Sequence, residues 1–184
     1  MSRKDSQQQQ FLDVIDRDEA ESRWRAAFVV EPVAETVSLC HAHGRILFRD
    51  VVSTVDVPGF DRSNLDGFAV RAADTWGADE EQPAKLHLLD EVIATAVVPQ
   101  SEVHTGQAVS IATGGMLPRG ADAIAMVEYT DVVDGEVHVY KPLTPGQGLT
   151  FAGTDISQGE MVYRAGEPLT SRETGVVAAI GVAE

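Results

Sequence analysis

The 184-residue sequence predicts a mainly β chain with flanking helices, an α+β fold. Three observations predict it. Helical periodicity appears only near the two ends. About nine short runs rich in β-branched residues, bounded by Gly, Pro and Asp, fill the middle. Strands and helices do not alternate in the manner that builds a doubly wound parallel sheet.

In order, residues 11–30 read as an amphipathic helix. Phe11, Val14 and Ile15 share one face, Ala20, Trp24, Ala27 and Phe28 continue it, and Pro32 stops it. The glutamine run at 7–10 reads as a frayed tail. Residues 36–39 form a short strand or turn, and Ser38 is a candidate cap for a brief helix ending at Gly44. Strands are expected at 46–55, at 68–71, once or twice within 86–98, at 109–113 and, buried, at 123–129; residues 74–85 and 114–122 are loop and turn. Asp134-Gly135, with alternating valines on both sides, signals a hairpin. Residues 142–148 look like a linker, and 159–163 like a turn followed by a strand. Thr170 and Glu173 make a capping box for a helix running to Ile180, with Gly181 as its stop.

Composition excludes several classes. The net charge of −15 repels phosphate backbones and anionic membrane faces, so neither nucleic acid nor membrane is an expected partner. No apolar run approaches the roughly 18 residues that span a bilayer. Cys40 is the only cysteine, which suits a reducing cytoplasm. His41 adjoins it, but neighbouring Leu39 suggests a packed segment rather than an activated thiol. The five histidines form no metal-ligand cluster, because His41 and His43 point apart at their spacing.

Two stretches carry candidate chemistry. The first, DVPGFDRSNLDGFAVRAAD from Asp56 to Asp74, puts Asp56, Asp61 and Asp66 around turns that lead into a strand. Carboxylates on a loop braced by a strand are well placed for binding; the same letters also suit an ordinary Asp-Gly turn. The spacing is not that of a calcium loop, because Leu65 and Asp66 fall where a ligand and a glycine are required. The second, from Ser110 to Asp131, holds Gly114, Gly115 and Gly120, where backbone amides can approach a ligand, with Thr113 at the strand end. Ala121 stands where a P-loop needs lysine.

The first stretch resembles the signature D-V-P-x-F-D-N-S-A-M-D-G-Y-A-V-R of the MoeA and gephyrin E-domain family, the molybdopterin molybdenumtransferases. It matches from Asp56 to Arg71 except chiefly at Arg62, Asn64, Leu65 and Phe68. The second is similar to the family's I-x-T-G-A-P-L-P-x-G-A-D-A-V-V-M-V-E-x-T, matching at Ile111, Thr113, Gly114, Leu117, Pro118, 120–123, 126–128 and Thr130. A third stretch, 145–184, keeps Gly153, Asp155, Ile156, Gly159, Gly166, Leu169 and Gly181 of the family pattern. It has Thr150 where the family has arginine and Thr154 where it has glutamate.

The resemblance implies a MoeA N-terminal-region-like fold of coiled and bifurcated β-sheets in two modules. Residues 1–31 would be tail and helix. Residues 32–54 with 159–184 would form a discontinuous β/helix module, and 55–158 an inserted β module carrying the signatures. It implies catalytic roles for Asp66, Thr113 and Asp155 and substrate contacts at Ser63, Gly67 and Gly114. It implies Mg2+ as cofactor, molybdate and adenylylated molybdopterin as substrates, a homodimer and a cytoplasmic location. The family continues into an α/β domain holding the pterin-binding loops, which these residues do not include, so the isolated chain is expected to be inactive. The alternative is a non-catalytic interaction or dimerisation module related to the gephyrin E domain.

Overall fold

A computed structural model describes residues 15–29 and 31–184. It divides into two compact units, Met1–Glu35 and Thr36–Glu184. In the first, one helix, α1, spans Arg17–Ala27. It starts where Asp16 caps it, its Oδ1 accepting from the N–H groups of Asp18 and Glu19 at 2.9 and 3.0 Å. It stops at Ala27, short of the expected residue 30, with the Phe28 N–H donating to the Trp24 carbonyl. Phe11, Val14, Val30 and the glutamine run lie outside the described residues. No residue of α1 is buried. Trp24 and Phe28 stack on each other with ring centroids 5.3 Å apart, and both stay exposed. Glu19–Arg23 and Glu21–Arg25 pairs support the polar face.

The second unit is mainly β. Its strands are β1 (Val51–Val52), β2 (Arg62–Ser63), β3 (Gly67–Val70), β4 (Ala84–Ile93), β5 (Gln107–Ile111), β6 (Ala123–Met126), β7 (Thr130–Val133), β8 (Glu136–Val139), β9 (Leu149–Thr150) and β10 (Met161–Tyr163). Six of them form one sheet in the order β6-β3-β5-β4-β8-β7. All neighbours are antiparallel except β4 and β5. The side-chain period of two sorts the core onto both faces. Phe68, Val70, Leu86, Ala108, Ala123, Ala125, Val137 and Val139 pack on one face. Ala69, Ile93, Val109, Ile111 and Ile124 pack on the other with Val103. Because both faces are covered, β3 and β6 read as unbroken apolar runs rather than alternating ones.

Residue 67 must be glycine for a steric reason. A Cβ there would stand 2.0 Å from the Ala125 carbonyl oxygen on β6. The Asp134-Gly135 hairpin forms as expected between β7 and β8, with φ of 52° and 81°, the positive values a type I′ turn needs.

Other expectations are corrected. Residues 142–148 are no linker: Leu143 is buried, and its N–H donates to Thr75 Oγ1 at 2.8 Å. The Gly146 N–H reaches the Asp122 carbonyl at 2.7 Å and the Gln147 carbonyl accepts from Ile124 at 2.9 Å, so the segment covers the outer edge of β6. The buried strand expected at 123–129 ends at Met126 and turns into a short 3-10 segment, Val127–Tyr129.

Of the strand expected at 46–55, only β1 forms, paired with β10 through an irregular register. The rest is held by loop bonds, such as Leu47 N–H to the Glu167 carbonyl at 2.9 Å and Ser53 N–H to the Glu160 carbonyl at 2.9 Å. Residues 36–39 form no strand; Leu39 donates to the Ala183 carbonyl at 2.9 Å and opens a 3-10 turn, Leu39–His41. Ser38 does not cap it, because its hydroxyl bonds His41 Nδ1 at 2.9 Å instead. Cys40, expected in a packed segment, is exposed. A third apolar cluster, Ala42, Leu169 and Val177 with Leu47 and Tyr163, seats helix α2, Ser171–Ala179.

The capping box at the start of α2 is present. The Thr170 hydroxyl donates to Glu173 Oε2, which also accepts from the Thr170 N–H at 3.0 Å. Chiefly through the hydroxyl bond, Glu173 is held at about 2, below its ordinary 4.5. A depressed carboxylate contributes stability above its unfolded value and loses it as pH falls toward the folded one. The melting temperature of the chain should therefore fall as pH drops from 4.5 to about 2. Glu173→Gln should start lower at pH 7 and lose less across that window. A parallel decline of both proteins would show that Glu173 is not the group responsible.

Candidate functional site

The stretch 56–66 is threaded between two other loops, which makes three distant segments of sequence one site. On one side lies the turn after β5. The Gly114 N–H donates to the Ser63 carbonyl at 2.8 Å, the Ser63 N–H to the Gly115 carbonyl at 2.9 Å, and the Leu117 N–H to the Asp61 carbonyl at 2.8 Å. On the other side lies the loop after β9, which pairs with β2. The Ala152 N–H donates to Asp61 Oδ1 at 2.8 Å and the Gln158 N–H to Asp56 Oδ1 at 2.8 Å. Asp56 and Asp61 thus serve as clamps between loops.

Asp66 lies between these clamps and β3. Its Oδ1 accepts twice from Thr113, from the N–H at 2.7 Å and from the hydroxyl at 3.0 Å. These bonds, the backbone one first, hold the exposed carboxyl below its usual range against the opposing effect of desolvation. It is therefore ionised at neutral pH, and no protein donor among the described residues occupies Oδ2. Asp66 and Thr113 are both exposed.

The remaining candidates are placed differently. Ser63 is buried, with its hydroxyl donating to the Leu65 carbonyl at 2.6 Å. The Gly115 amide donates to Ala112 at 2.9 Å, so the amides of Thr113, Gly114 and Gly115 are all committed within the fold. The glycine-rich turn positions Thr113 rather than presenting a cradle of free N–H groups. Gly67 gives β6 its close approach. Asp155 is exposed and donates its N–H to the Val57 carbonyl at 2.9 Å, at the far end of the signature stretch from the Asp66–Thr113 pair.

Sequence reasoning missed Thr95. Its hydroxyl donates to the Thr113 carbonyl at 2.9 Å, and its side chain lies 3.2 Å from where a Cβ at Gly114 would stand. Only the β4–β5 pairing, across eighteen positions of sequence, brings it there. The next residue, Ala96, has φ of 64°, a left-handed conformation strained for a side chain with a Cβ. Glu91 ties down the far end of this loop by accepting from the N–H groups of Gln100 and Ser101 at 2.9 and 2.7 Å.

No three His, Cys, Asp or Glu side chains converge as metal ligands among the described residues. A cavity of about 190 Å³ opens beside β6 between Tyr129, Lys141 and Gln147; Asp66 and Thr113 do not line it. No helix among the described residues is long and apolar enough to cross a membrane.

The two signature loops meet at an Asp–Thr pair on a mainly β unit. Residues 15–181 match the MoeA N-terminal region, domains I and II, and the chain belongs to that family. A molybdopterin molybdenumtransferase of Staphylococcus aureus is 33% identical over 151 residues, 82% of this chain and 36% of that protein. Molybdopterin molybdenumtransferase 2 of Mycobacterium tuberculosis is 38% identical over 152 residues, 81% of this chain and 36% of that one. A solved MoeA protein of Pyrococcus horikoshii superimposes with a TM-score of 0.84 at 36% identity, covering 92% of this chain and 43% of that one. The chain thus spans about a third of the length of the curated relatives it matches.

The brace at Thr95 is testable by stability. Thr95→Val should cost about 0.5–1 kcal/mol, the net worth of one hydrogen bond. Ala96→Gly should stabilise by about 0.5–1 kcal/mol through relief of the left-handed strain. Urea titrations of both variants check this; an Ala96→Gly protein no more stable than the parent contradicts the strained loop.

Proposed function

We propose that this chain is the N-terminal and linker part of a molybdopterin molybdenumtransferase, acting in molybdenum cofactor biosynthesis by helping to insert molybdate into adenylylated molybdopterin. The observation that carries the reading is the Asp66–Thr113 pair, which joins the two family signatures through one carboxylate oxygen. Asp66, ionised at neutral pH, keeps Oδ2 to accept a hydrogen bond or proton from an oxygen of the substrate. Thr113 fixes the direction of that carboxylate. Ser63, Gly67 and Gly114 act beneath it by holding the loops in register, and Asp155 supplies a second exposed carboxylate on the third loop. Mg2+ enters the proposal as the cofactor that the resemblance implies.

The rest of the pterin site would come from the portion of the relatives beyond the matched third, so the isolated chain should not turn over. A homodimer and a cytoplasmic location complete the proposal; the single, exposed Cys40 suits a reducing compartment. A second reading, a non-catalytic interaction module, is favoured by the exposed Trp24–Phe28 stack on α1.

A chimera separates the two. The chain replaces the matched segment of the Staphylococcus aureus molybdenumtransferase, and molybdenum insertion is assayed. The enzymatic reading predicts insertion above background and a loss on the order of tenfold or more in Asp66→Asn at nearly unchanged melting temperature. A folded chimera that is inactive, or one insensitive to Asp66→Asn, contradicts it.

A further inference from the structure

The chain differs from the family pattern at Arg62, Asn64 and Thr150, positions far apart in sequence, and the fold brings all three together. Arg62 and Thr150 are direct cross-strand partners in the β2–β9 pair, so their side chains leave the ladder on the same face. The Thr150 hydroxyl donates to Asn64 Oδ1 at 2.6 Å. The other register pair, Ser63 and Leu149, faces the opposite way, with Ser63 buried and Leu149 packed on the core. The position that lacks the expected arginine therefore sits directly opposite one that has gained an arginine.

The gained arginine is anomalous by charge. Arg62 is half-buried, in a chain whose net charge is −15. No carboxylate pairs with it among the described residues, although Asp61 is its neighbour in sequence; Asp61 Oδ1 is committed to the Ala152 N–H. A guanidinium left without an anion keeps five N–H donors in a fixed fork whose natural partner is a planar or tetrahedral oxyanion. With Thr150 bonded to Asn64 Oδ1, the Asn64 amide NH2 is left as a further donor on the same face. The strand carrying Arg62 also bridges Met116, in the turn that begins at Thr113, so β2 runs alongside the turn that carries Thr113.

We propose that Arg62, with Asn64, forms an oxyanion subsite of this chain, the guanidinium having moved across the β2–β9 ladder from position 150 to position 62. The ligand is a small dianionic oxyanion: molybdate, or the phosphate group of a nucleotide-bearing substrate. The proposal rests on the molybdenum-transfer reading for its place in the reaction, but the subsite is testable without turnover.

The test uses the 184-residue chain labelled with 15N. Sodium molybdate and inorganic phosphate are titrated in separate arms, with sodium chloride at matched ionic strength as control. Saturable shifts are expected at the Arg62 Nε–H, the Asn64 side-chain amide and the Thr150 amide. Arg62→Gln should weaken binding about tenfold or more. The double variant Arg62→Asn/Thr150→Arg, which moves the cation back across the ladder, should restore it. The arm that binds more tightly identifies the oxyanion's source. Shifts that merely follow chloride, undiminished binding in a folded Arg62→Gln protein, or no recovery in a folded double variant would overturn the proposal. Oxyanion binding with an inactive chimera would defeat the molybdenum-transfer reading and leave the subsite standing; an active chimera without oxyanion binding would do the reverse.

Discussion

One carboxylate oxygen organises the candidate site. Asp66 Oδ1 accepts both the amide and the hydroxyl of Thr113 and so ties the start of β3 to the turn that follows β5. These strands are already neighbours, with Gly67 opposite Ile111, and the two bonds extend their pairing beyond the sheet into the loops. Directly below, β3 is buried on both faces and Gly67 admits the Ala125 carbonyl where no side chain would fit. The pair therefore stands at the end of a strand buried on both faces, which is how an exposed group keeps a fixed direction.

Around this pair the polar groups divide by task. Asp56 and Asp61 accept backbone amides from the third loop, and the glycine-rich turn spends its N–H groups on Ser63, Ala112 and Asp66. Among the exposed polar residues left over are Asp66, with one oxygen unoccupied, and Asp155; Arg62 is half-buried.

Much of this was legible in the sequence where local chemistry decides structure. The Asp134-Gly135 turn and the Thr170–Glu173 capping box depend on residues a few positions apart, and both form. The Asp66 and Thr113 motifs were visible as well. What escaped was set by distant partners. Residues 46–55 alternate weakly, yet their hydrogen bonds go to 159–169 through loops, so only β1 is a strand. Residues 142–148 have linker composition, but Leu143 fills a gap over the sheet and the backbone there covers β6. Thr95 carries no local signal, and the opposition of Arg62 to Thr150 exists only in the β2–β9 register. Composition reports on neighbours along the chain, and these features belong to neighbours across it.

The central claim is that Asp66 and Thr113 form one charge-assisted unit. A pH titration following the Asp66 carboxyl carbon and the Thr113 amide by NMR tests it most directly. The account predicts that Asp66 titrates below its ordinary value of 3.8 and that the Thr113 amide shifts with the same midpoint, because its hydrogen bond weakens when the carboxylate takes up a proton. An Asp66 midpoint at the ordinary value, with a Thr113 amide indifferent to it, would contradict the account.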